Sequence, residues 1–72
     1  MLIQLTEMLP GIVNPDTVIN KQIAINNKCI QSVRLMLKSY PYKENYTEIT
    51  MASGEKINVQ EKYNEVCKML NL

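Results

Sequence analysis

The chain has 72 residues, 46% of them hydrophobic and 21% charged, and eight Lys+Arg against seven Asp+Glu leave a net charge of +1. That length holds a single domain, residues 1–72, whose core is too small for a wide margin of stability. The basic residues are scattered, which argues against nucleic-acid binding, where Lys and Arg gather into one stripe.

Domains this small draw extra stability from disulfides, a bound metal or a partner subunit. Cys29 and Cys67 are the only cysteines, and the opening MLIQLTEMLP has no basic start and is interrupted by Gln4, Thr6 and Glu7. Neither a secretory leader nor a membrane span is expected, so the expected compartment is the reducing cytoplasm. The chain has no histidine and no Cys-x-x-Cys pair, so no metal or other cofactor is expected. Self-association remains as the way to complete the core, and a homo-oligomer is the expected state.

Residues 1–8 alternate loosely, with Ile3 and Leu5 on one face of a strand. Pro10-Gly11 and Asn14-Pro15 are turn signals, so 9–21 is expected to be an irregular excursion holding at most a short extended piece at Gly11–Val13. Ile23 and Ile25 flank Ala24 in a short strand, and Asn26-Asn27 then turn the chain. Residues 28–40 fit two patterns. Val33, Leu35 and Leu37 alternate as in a strand, whereas Cys29, Ile30, Val33, Met36, Leu37 and Tyr40 fit a helical stripe. Residue type does not decide between them, and periodicity alone leans to helix. Residues 40–45 form a polar connection stiffened by Pro41.

The stretch EITMASGEKINVQE (48–61) is the most strongly patterned. A two-residue Ser53-Gly54 turn would pair Thr50 with Ile57 and split the apolar residues between two faces. A three-residue Ala52-Ser53-Gly54 loop instead pairs Ile49 with Ile57 and Thr47 with Val59. It also puts Gly54 where a type I turn with a G1 bulge needs positive φ. Tyr63, Val66, Cys67 and Leu70 then follow helical spacing, opened by Asn58 and Glu61 as a capping pair or by Gln60 as first cap. So short a helix must pack on the sheet.

The stretches IQLT (3–6), IAINNKCIQSV (23–33), TEITMASGEKINVQE (47–61) and YNEVCKML (63–70) resemble the small FlbD/SwrD-type flagellar and swarming-motility proteins and their phage-encoded relatives. The resemblance implies a strand over 29–38, against the lean to helix, and a bacterial or phage setting. It also implies that 9–21 is an insertion and that 38–45 is a lengthened connection. The expected fold class is α+β, a small antiparallel sheet of four to five short strands with one C-terminal helix packed on it.

Hydrolytic or transfer chemistry needs a nucleophile and a base together, and without histidine both cysteines lack the usual activating partner. They are read as structural, with Cys67 on the apolar face of the helix. Glu48, Glu55 and Glu61 are read as sheet-face charges and a helix cap. An enzyme is not expected. Tyr40, Tyr42 and Tyr46 with Pro41 form the one aromatic cluster, either a loop lining the sheet edge or a stacking platform for a partner. Arg34 and Lys38 add a grip for phosphate or nucleobase beside it. The expected function is a non-catalytic interaction module, a homo-oligomer presenting 9–21 and 38–46 to a protein partner. The alternative is a phage protein that sequesters a nucleotide immune signal between subunits through Arg34, Lys38 and the tyrosines. A nucleic-acid-binding regulator is disfavoured by charge.

Overall fold

The computed structural model describes residues 1–71. β1 (Leu2–Pro10) and β2 (Val18–Asn26) pair antiparallel along their whole length, from Leu2 opposite Asn26 to Pro10 opposite Val18. A single 3-10 turn at Asn27–Cys29 is capped by Asn26, whose Oδ1 accepts from the Lys28 N–H at 3.0 Å. It leads into β3 (Ile30–Met36). The second hairpin is β4 (Tyr46–Met51) with β5 (Lys56–Val59), and α1 (Tyr63–Met69) follows. The five strands lie in the order β2-β1-β5-β4-β3 with antiparallel neighbours, and α1 packs on β3 and β4. This is the α+β fold expected from the sequence.

One face of the sheet carries the core. Ile3, Leu5, Ile49, Ile57, Val59 and Val66 are buried together, ringed by Ile23, Ile25, Ile30, Val33, Met51 and Leu70. Directly opposed residues share a face, and the opposed pairs Ile3–Ile25, Leu5–Ile23, Val33–Ile49 and Ile49–Ile57 therefore line one side. Each fully buried aliphatic side chain contributes about 1.5–3 kcal/mol. Val66 is the buried residue of the seven-residue α1, a helix far too short to persist without that packing.

The second hairpin follows its sequence reading. Ile49 faces Ile57 and Thr47 faces Val59. Gly54 has φ 95°, its N–H donates to the Met51 carbonyl at 2.8 Å, and the Met51 N–H donates to the Glu55 carbonyl at 2.8 Å.

Elsewhere three expectations are corrected. Residues 9–21 are not an irregular excursion, because strand structure runs through Pro10 and resumes at Val18, and Gly11–Val13 adds no strand. The intervening turn is knit by Gly11 N–H to Thr17 O (2.9 Å), Thr17 N–H to Asn14 O (3.1 Å) and Asp16 N–H to Asn14 Oδ1 (3.0 Å). A Cβ on Gly11 would collide with the Asn14 carbonyl and the Thr17 hydroxyl. Proline is accepted in β1 because of parity. Asn27 N–H donates to Met1 O and Gly11 N–H to Thr17 O, so odd-numbered residues of β1 exchange bonds with β2 and even-numbered ones turn away. Pro10 therefore removes no bond from that ladder.

Residues 28–40 hold the strand Ile30–Met36, as the resemblance implied for 29–38, and not the helix toward which periodicity alone leaned. A bulge between Ile30 and Ser32 inserts Gln31, which lets Ile30 and Val33 share the core face at a spacing that mimics a helix. The third correction concerns the start of α1. Its N-cap is Lys62, with no side-chain cap bond, while Asn58 lies within β5 and Gln60 is drawn toward β1.

Glu61 is engaged elsewhere, at the seam between the two halves of the sheet. β1 and β5 share one opposed pair, Glu7 with Val59, followed by Gln60 N–H to Thr6 O at 2.8 Å. There Glu61 Oε1 accepts the Thr6 N–H at 2.8 Å and Oε2 accepts the Thr6 hydroxyl at 3.0 Å. The Glu61 carbonyl in turn accepts from Oγ1 of the fully buried Thr47 at 2.7 Å.

Glu61→Ala is expected to lower stability by about 2 kcal/mol through these charge-assisted bonds, read as a fall in the urea midpoint. A fall no larger than that of the exposed Glu55→Ala would show the clamp to be a spectator. Gly54→Ala meets open space around its Cβ, so its expected loss of about 1–2 kcal/mol comes from the positive φ alone. An unchanged midpoint would contradict that.

Candidate functional site

The connection 37–45 is closed by a hydrogen bond from Lys38 N–H to Asn45 Oδ1 at 2.9 Å. Within it the Tyr42 N–H donates to the Ser39 carbonyl at 2.8 Å, and the Tyr40–Pro41 peptide is cis. This turn lays Tyr42 against Tyr46, ring centroids 4.6 Å apart and tilted by 50°. The Tyr42 hydroxyl donates to the Met8 carbonyl at 3.3 Å and accepts from Asn58 Nδ2 at 3.4 Å. Alternation along β4 puts Tyr46 on the face opposite Thr47 and Ile49, so the tyrosine pair closes the side of the sheet that α1 leaves open. An aromatic pair of this geometry adds about 0.5–1.5 kcal/mol beyond its burial.

The five residues singled out from sequence are thus divided. Tyr46 is buried, and both it and Tyr42 serve the fold, over the sheet face and not along its edge. Tyr40 is 73% exposed. Arg34 stands opposite Glu48 in the β3–β4 ladder, an opposite-charge cross-strand pair. Lys38 leaves the end of β3 and enters a cleft with Tyr46.

Two clefts border the connection. One, of about 630 Å³, separates it from the β1–β2 turn, with Asp16 and Thr17 on one wall, Pro41 and Tyr42 on the other, and Met8 and Gln60 between. The two segments expected to present a binding surface are brought together here. The other cleft, of about 570 Å³, lies off the ends of β3 and β4 beside the start of α1. Lys38, Lys43 and Lys62 line it with Leu35, Glu44, Asn45, Tyr46, Tyr63 and Asn64. Arg34 and Tyr40 line neither. Lys43, Lys62 and Tyr63 were not singled out as site residues from sequence, since Lys43 belongs to the 37–45 connection and Lys62-Tyr63 to the start of α1, and only the tertiary fold brings those two segments together.

The Tyr63 hydroxyl is raised above the ordinary tyrosine value by a side-chain hydrogen bond with Cys67 one turn on, then by the charge of that thiol and by burial. Both cysteines are free, but Cys29 is exposed rather than a core residue, and Cys67 is half-buried. Among the described residues no group of three His, Cys, Asp or Glu is placed to hold a metal ion, and no helix is long and apolar enough to cross a membrane. Comparison with protein-family models, with curated proteins and with solved structures returned no match.

Tyr42→Ala is expected to cost about 2 kcal/mol through lost aromatic packing. Tyr42→Phe should cost less than about 1 kcal/mol, because only two long hydrogen bonds go. Equal urea midpoints for the two variants would assign the role to the hydroxyl instead of the ring.

Proposed function

We propose that the chain is a non-catalytic interaction module that works as a homodimer built along the free edge of β2. The observation that carries this reading is the composition of that edge. β2 is the outermost strand on its side of the sheet. By the parity of the β1–β2 ladder, Val18, Asn20, Gln22, Ala24 and Asn26 direct their N–H and C=O groups away from β1. Such an edge is a template for another strand.

A second copy laid antiparallel about Gln22 uses the full strand. Val18 of one copy then meets Asn26 of the other, and Ile19 meets Ile25. Lys21 meets Ile23, so no like charges are opposed. Ile19, 47% exposed in the single chain, lies on the core side with Ile23 and Ile25, and the pairing carries the apolar face across both copies. A net charge of +1 offers little repulsion between them.

The turn at 11–17 and the connection 37–45 stay outside this contact and are the surfaces offered to a protein partner. Ile12 and Val13, 94% and 98% exposed at the turn, supply apolar contacts for it. The non-catalytic part of the reading is supported by a sequence without histidine and by the engagement of Glu61 in the seam. The resemblance to small motility proteins and their phage relatives supports a bacterial or phage setting.

Native mass spectrometry at micromolar concentration is expected to give the mass of two chains, and Gln22→Pro to give one. Proline is chosen because the Gln22 N–H points away from β1, so the folded circular-dichroism spectrum should persist. A monomeric wild type, or a Gln22→Pro variant that is folded and still dimeric, would overturn the β2 interface.

A further inference from the structure

We propose that the cleft off the ends of β3 and β4 binds a phosphate-bearing small molecule of nucleotide size. Its volume of about 570 Å³ falls within the ~300–1,000 Å³ typical of small-molecule sites. Three of the chain's eight cationic residues, Lys38, Lys43 and Lys62, line it against one carboxylate, Glu44. In a chain that is almost neutral overall, this gathers positive charge in one concave place. A concave surface lined by one sign of charge focuses a positive potential that a polyanion relieves.

The lysines come from two segments whose backbones are already fixed, the 37–45 connection and the link from β5 to α1. Lys38 is tied to Asn45 by its N–H at 2.9 Å. Lys43 lies inside the connection that this bond closes. Lys62 follows Glu61, whose carbonyl is held by Thr47 at 2.7 Å. Binding then orders only the side-chain stems, which keeps its entropic cost low. Lysine binds phosphate oxygens as a compact point charge. Tyr63 and the 56%-exposed Leu35 give an aromatic and apolar wall, against which a base can stack. The cleft lies within one chain, so the inference does not depend on the β2 dimer.

The test is isothermal titration at low ionic strength, where screening of exposed charges is weak, with ATP and inorganic pyrophosphate as separate probes. Both are expected to bind with dissociation constants below about 1 mM, ATP more tightly. Lys43→Gln and Lys62→Gln should each weaken binding about tenfold, the loss of one charge-assisted contact. Tyr63→Ala should abolish the preference for ATP over pyrophosphate. Lys21→Gln and Lys56→Gln change the net charge equally but lie outside the cleft, and should leave both affinities unchanged. Circular dichroism confirms that each variant is folded. Absence of heat with both probes would overturn the site, as would equal weakening by Lys21→Gln and Lys62→Gln, which would reduce it to bulk charge. A mixed-sequence single-stranded oligonucleotide that outcompetes ATP through the same lysines would overturn the small-ligand reading in favour of nucleic acid.

Discussion

The carboxylate of Glu61 holds the two halves of the sheet together. β1 meets β5 through a single opposed pair, whereas β1 and β2 are opposed along their full length. Where the ladder gives out, Glu61 supplies from its side chain the acceptor that a longer strand would supply from its backbone. Its own carbonyl is held by Thr47 from the neighbouring strand. The residue that links β5 to α1 is therefore fixed on both sides, and this sets where the helix begins. Lys62 and Tyr63, one and two residues on, take their places in the cleft as a consequence. On the opposite face Tyr42 spans the same seam, touching Met8 of β1 and Asn58 of β5.

A chain this small uses both faces of its sheet for stability. One face is covered by α1 through Val66 and Leu70. The other is covered in part by the Tyr42–Tyr46 pair, so two of the three clustered tyrosines also serve the fold, while Tyr40 stays exposed. Surfaces free for recognition are displaced to the rim: the open edge of β2, the exposed turn after β1, and the clefts flanking the 37–45 connection.

The legible and illegible parts of the sequence differ in what decides them. The Ala52-Ser53-Gly54 turn is local, and its register is checked by the alternation of Thr47, Ile49, Ile57 and Val59, so turn chemistry and burial agree. Pro10-Gly11 is local too, yet its meaning depends on which way the Pro10 nitrogen faces, and only pairing with β2 settles that. At Gln31 a bulge gives strand residues a helix-like spacing, so periodicity misleads. Asn58 and Glu61 have the spacing of a capping pair, but the carboxylate finds the Thr6 N–H, 55 residues away in sequence, and satisfies the seam instead. The cleft is the extreme case. Lys38 and Tyr46 were visible as candidates and Lys43 lies between them in the chain, whereas Lys62 and Tyr63 belong with them only through tertiary distance.

The narrow seam also orders the chain in time. β1–β2 and β4–β5 are hairpins between strands adjacent in sequence, and such hairpins zip in ~1–10 μs. Docking them around Glu61 closes a far longer loop, and non-local contacts of this kind set the pace of folding for β-rich chains. The same joint is the weakest line across the sheet, so it is where partial opening begins. Each such opening bares the inner edges of β1 and β5, two further templates for strand addition. The grip of one carboxylate thus limits how often the molecule offers edges that lead to aggregation.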